Sequence, residues 1–133
     1  MFNFLKKPRF QIVSPASGKL KLITEVPDEV FSSKAMGDGF AVEPQKGEVY
    51  FPVDGNIEAV FPTMHAIGIK CSNGTEILIH VGVDTVELHD EGFESFISKG
   101  QKVKAGQLLL KVDIESIKTK VTSTDIIVIL TSG

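Results

Sequence analysis

Short runs rich in Val and Ile alternate along this chain with Gly, Pro, Asp and Asn, the punctuation of an all-β protein. The pattern predicts strands near residues 10–13, 19–24, 40–43, 47–51, 55–60, 66–71, 76–83, 107–112 and 126–130. Cys71-Ser72-Asn73-Gly74-Thr75 places an Asn-Gly step between two such runs, which predicts a hairpin. Gly37-Asp38-Gly39 and Val53-Asp54-Gly55 read as further turns. Helix is confined to two short segments. Pro27 to Ala35 starts with acidic residues and carries Val30 and Phe31, and Asp113 to Lys118 has Asp at the N-cap position. Neither is long enough to stand without tertiary support. The strand spacing points to an antiparallel β-sandwich or barrel with one or two short helical turns. A weak internal echo links Pro52–Ile57 with Lys99–Leu108: both resemble pieces of lipoyl- or biotinyl-type hammerhead folds, which turn on Gly and enter a strand.

The strand pattern also places the candidate chemistry. His80 closes the continuous apolar run Ile77-Leu78-Ile79, which reads as a strand buried on both faces. A histidine there is rigidly held yet reachable. His65 opens the preceding strand, and the hairpin sets the start of one strand beside the end of the other. Centring the turn on Asn73-Gly74 puts His65 opposite a residue near Gly82, about two from His80, a gap that a bulge or a one-step register shift narrows. Two adjacent imidazoles could bind a metal, act as an acid–base pair, or serve as nucleophile and phosphate clamp. Thr63 shares a strand face with His65, about 6.6 Å away at Cα, and could fix its tautomer. Asp84 is about 13 Å from His80 along a straight strand, so it reads as a rim residue for a basic partner unless the chain turns at Gly82. His89 reads as a residue of a polar surface turn.

Composition narrows the class. The 133 residues, 42% hydrophobic and 23% charged, suit one domain with its own core, over residues 10–133 behind a flexible segment at 1–9. A net charge of −3 argues against a nucleic-acid binder. Cys71 is the only cysteine, which excludes an internal disulfide and fits a reducing compartment. No run approaches the roughly 20 apolar residues of a membrane helix. The apolar start, Met1-Phe2-Asn3-Phe4-Leu5, is too short for a signal peptide and is at most a weak membrane-surface foot. A cytoplasmic protein is expected.

Several ordered blocks stand out: Val26-Pro27-Asp28-Glu29-Val30-Phe31, Met36-Gly37-Asp38-Gly39, Pro52-Val53-Asp54-Gly55, Val60 to Gly68, Glu76 to Leu88, and Glu91-Gly92-Phe93. Together they resemble the glucose-type (type 1) IIA component of the bacterial sugar phosphotransferase system. The resemblance covers about residues 10–131. It implies a duplicated-hybrid-motif β fold and a phosphocarrier. It matches His80 to the histidine phosphorylated on Nε2, His65 to the second histidine needed for donation, and Thr63 to its hydrogen-bonding partner. The implied donor is phospho-HPr, and the implied acceptor is a cysteine of a sugar-specific IIB domain of the membrane component. Phe31 and Phe61, with Asp28 and Asp84, match a partner surface with an apolar patch and an acidic rim. No cofactor and no obligatory metal are implied, although relatives can share zinc between two proteins at the positions of His65 and His80.

The chain departs from that pattern in places. Family members continue past the position of Gly133 with further strands, so a C-terminally shortened, free-standing IIA is expected. Ser123-Thr124-Asp125 replaces a stretch with Thr-Pro, and Leu78 and Val81 stand where some relatives carry phenylalanines. A regulatory IIA-like binding protein that has lost transfer is the alternative in the same fold. A lysostaphin-like zinc peptidase would use His80-x3-Asp84 but needs a downstream His-x-His, and only His89 follows. A lipoyl or biotinyl carrier needs a lysine at a turn tip, which Val53-Asp54-Gly55 does not provide.

Overall fold

Residues 12–61, 65–83 and 92–132 are described by a computed structural model of the chain. The segment expected at 1–9, and the start of the strand expected at 10–13, lie outside them. Among the described residues there are ten strands: β1 (Gly18–Leu22), β2 (Asp38–Pro44), β3 (Glu48–Tyr50), β4 (Gly55–Val60), β5 (Ala66–Lys70), β6 (Glu76–Val83), β7 (Phe93–Ser95), β8 (Lys102–Val103), β9 (Leu108–Val112) and β10 (Ser123–Ser132). They form a seven-stranded sheet in the order β1-β2-β10-β6-β5-β4-β8 and a three-stranded sheet in the order β3-β9-β7. Each neighbouring pair runs antiparallel. The expected all-β fold is therefore present.

The differences from the sequence reading have local causes. Residues 12 and 13 are not in a strand, although Val13 N donates to Pro52 O at 2.8 Å. The strand expected to reach residue 24 stops at Leu22, where Glu25 Oε1 accepts from Leu22 N and closes a 3₁₀ turn over Ile23–Glu25. The helix expected over Pro27 to Ala35 shrinks to α1 (Glu29–Ser32), capped by Asp28, whose carboxylate accepts from Val30 N at 2.8 Å. The second helix, α2 (Ile114–Ile117), starts as expected on Asp113. Strands β7 and β8 were not expected, being too short to show an apolar period. The two echo segments meet: Gly55 and Asn56 pair with Val103 and Lys102.

Two apolar clusters flank the large sheet. The larger joins the sheets through residues such as Ile57, Ile67, Ile79, Val81, Leu110 and Val128. The smaller lies on the opposite face, where Ile23, Val26 and Phe31 cover Ala41, Ile127 and Ile129. Burying Phe31 contributes roughly 1.5–3 kcal/mol, which is what holds a one-turn helix in place. Strand β10 serves both clusters, with Ile126 and Val128 on one side and Ile127 and Ile129 on the other. Strand β6 is not buried on both faces throughout, as its apolar run suggested. Ile77, Ile79 and Val81 point into the larger cluster, while Leu78 and His80 are half-buried on the face of the smaller one.

Candidate functional site

His80 sits on the β6 face shared with α1. Its cross-strand neighbours are Ala66 on β5 and Ile127 on β10. The register is one step from that of a turn centred on Asn73-Gly74. The connection is a three-residue loop in which Cys71 N donates to Thr75 O, Gly74 N donates to Cys71 O, and Gly74 takes φ +92°. Val81 N therefore meets His65 O, at 2.7 Å, and fixes His65 just before the start of β5. The rings of His65 and His80 lie edge to face with centroids 5.0 Å apart. The expected neighbour relation holds.

The ring of His80 is oriented by its own strand. Nδ1 lies 2.7 Å from the carbonyl oxygen of Gly82. A carbonyl only accepts, so Nδ1 carries the proton and Nε2 holds the lone pair. Gly82 has φ +79°, a left-handed conformation that suits glycine. From the sequence alone Gly82 reads only as a point where the chain could turn. A glycine two residues beyond a candidate nucleophile, inside an apolar strand, was the available signal.

Burial lowers the pKa of His80 to about 4, with the neighbouring His65 adding to the effect. The Gly82 hydrogen bond and the Asp28 carboxylate act the other way. Burial also lowers His65, which is 8% exposed. Both imidazoles are neutral at neutral pH, and His80 has a free nitrogen lone pair.

The surrounding residues form an apolar rim. Phe31 packs against His80 with centroids 4.9 Å apart, and Phe61 against His65 at 5.8 Å. Phe31 is buried, whereas Phe61 is 44% exposed. Asp28 caps α1 close enough to act on the His80 charge. Thr63, Asp84 and His89 lie outside the described residues. Among the described residues no group of three or more His, Cys, Asp or Glu is placed to hold a metal ion. The two histidines alone could supply two ligands. Cys71 is buried in the hairpin, its thiol pushed up by burial and then by Asp54. Among the described residues no helix is long and apolar enough to cross a membrane.

Residues 10–133 match the family described as phosphoenolpyruvate-dependent sugar phosphotransferase system, EIIA 1. The chain is 53% identical over 121 residues to the glucose-specific EIIA component of Bacillus cereus, covering 91% of this chain and 73% of that protein. It is 50% identical over 120 residues to the glucosamine-specific EIICBA component of Bacillus subtilis, covering 90% of this chain and 19% of that one. Among solved structures, the glucose permease IIA from Mycoplasma capricolum superposes with a TM-score of 0.93 at 41% identity, over the whole of this chain and 85% of the other.

Proposed function

The chain belongs to the EIIA 1 family of the phosphoenolpyruvate-dependent sugar phosphotransferase system, and on that premise we propose that Nε2 of His80 accepts the phosphoryl group from phospho-HPr and passes it to a cysteine of a sugar-specific IIB domain. The protein is a phosphocarrier of that system, and HPr and the sugar-specific IIB/IIC component are its partners. The exchange takes place in the cytoplasm.

The observation that carries the reading is the 2.7 Å contact between His80 Nδ1 and Gly82 O. It presents Nε2 as the nucleophile, and burial keeps the ring neutral and ready to attack. On acceptance an Nε2–P bond forms as the N–P bond of the donor histidine breaks. Nδ1 keeps its proton, so the ring becomes cationic, and the Gly82 carbonyl stabilises that cation. On donation an S–P bond forms at the cysteine thiolate, the Nε2–P bond breaks, and His80 returns to its neutral form. Phosphoryl transfer asks a protein mainly to position groups and neutralise charge. His65, whose ring centroid is 5.0 Å from that of His80, donates a hydrogen bond to a phosphoryl oxygen. Thr63 orients His65. Asp28 and Asp84 meet the basic residues of the partners, and the exposed Phe61 supplies the apolar contact, while Phe31 backs His80 from the core.

Incubation with phosphoenolpyruvate, enzyme I and HPr, followed by intact mass under alkaline conditions, tests this. One acid-labile phosphoryl group is expected, absent in His80→Ala. His65→Ala is expected to accept normally and to donate poorly. Normal labelling of His80→Ala would rule out the assignment.

A further inference from the structure

Two polar side chains are buried among the described residues: His65 and Asp125. Asp125 is 2% exposed, and its Oδ2 accepts from Lys21 Nζ at 2.7 Å. Its backbone N–H donates to Ser123 Oγ at 3.0 Å. Lys21 belongs to the edge strand β1, so the pair spans β2 and ties two segments 104 residues apart. A carboxylate this deep is tolerated because it is paired.

The position of Asp125 gives the pair a second role. Ile126 pairs with Val81 and Ser123 with Val83, so Thr124 and Asp125 together face Gly82. This is a β-bulge on the strand beside His80, a device that re-aims neighbouring groups. Opposite it, Gly82 takes φ +79° and turns its carbonyl to His80 Nδ1. Lys21, Ala41, Ile127 and His80 are successive cross-strand partners, so the lysine and the histidine share one face of the sheet. A strand that carries an extra residue can slip its register unless a side chain fixes it. Here the carboxylate on the bulge itself is fixed.

We propose that Lys21 and Asp125 form a positioning pair that holds the β10 bulge in the shape that aims the Gly82 carbonyl at His80, and so sets the tautomer of the His80 ring. The consequence for rate rests on His80 being the phosphoryl acceptor; the consequence for the ring does not.

Two readouts test the pair at pH 7. One is the His80 tautomer from long-range ¹H–¹⁵N correlation; the other is single-turnover phosphoryl uptake from phospho-HPr. The native protein is expected to show the Nδ1–H form. Asp125→Asn is expected to mix in the Nε2–H form and to slow uptake roughly tenfold, with the half-saturating phospho-HPr concentration unchanged. Lys21→Arg, which keeps the pair, is expected to keep both properties. The double variant Lys21→Met/Asp125→Leu removes both charges without stranding either, so it folds where a single variant fails, and it is expected to mix tautomers as well. A folded Asp125→Asn or double variant with the native tautomer and native rate overturns the proposal. A native protein that takes up no phosphoryl group would remove the acceptor role of His80, and the tautomer alone would then decide on the pair.

Discussion

His80 donates Nδ1–H to the carbonyl of Gly82, two residues further along the same strand, at 2.7 Å. The nucleophile and the group that orients it are thus held by one short stretch of backbone. That stretch depends on a conformation few residues adopt, since Gly82 has φ +79°. Gly82→Ala should lose about 1–2 kcal/mol of stability from the left-handed backbone alone. It should also release the His80 ring. Denaturant unfolding would give the first effect, and phosphoryl uptake, expected to fall by roughly ten- to a hundredfold, the second.

Acid should weaken the fold through His80. Its pKa of about 4 lies below the ordinary value of 6.5, so the unfolded chain binds the proton more readily. The contribution is complete above about pH 6.5 and is lost as pH falls towards 4, and it amounts to at most about 3 kcal/mol. Thermal melts at pH 7 and pH 4.5 should show a smaller loss for His80→Gln than for the native protein. An NMR titration of the ring that gives an ordinary midpoint near 6.5 would contradict the buried, neutral imidazole.

Phe31 links stability to chemistry. It fills the smaller cluster and covers the His80 ring at 4.9 Å. Phe31→Ala should cost about 3–5 kcal/mol, the range for removing a buried aromatic. It should also admit water to His80 and move its pKa up towards 6.5, because burial is the main cause of the depression. Val30 next to it is 51% exposed, so Val30→Ala should change stability by less than about 0.5 kcal/mol.

Cys71 should be inert. The thiol is buried, and burial and Asp54 both push its pKa up. In native protein, alkylation should be slow and should become rapid in denaturant. Cys71→Ala should leave phosphoryl uptake unchanged, and a fall in uptake would show that the thiol takes part.

The relation between the histidines was legible because it needs only a hairpin, and Asn73-Gly74 announces one. The register came out one residue away because the loop has three residues and places Gly74, not the pair Asn73-Gly74, in the left-handed position. The long-range relations were not legible. Nothing local links the Asp28 charge to His80, or Lys21 to Asp125, since those relations exist only once β2 and β10 have been laid between β1 and β6. The covered face of β6 was misread for a related reason. An apolar run shows that side chains avoid water and not which neighbour covers them, and Leu78 and His80 are covered only in part, on the face that α1 shares.

Strand β10 sends alternate side chains into both apolar clusters. The face that carries His80 therefore has no hinge of its own: separating β10 from β6 opens the whole interior. Amide protons of Ile127 and Ile129 should exchange with solvent only through complete unfolding, at the slowest rate in the molecule. Heat should then extinguish transfer and melt the sheet in a single event, with no inactive yet folded species between them.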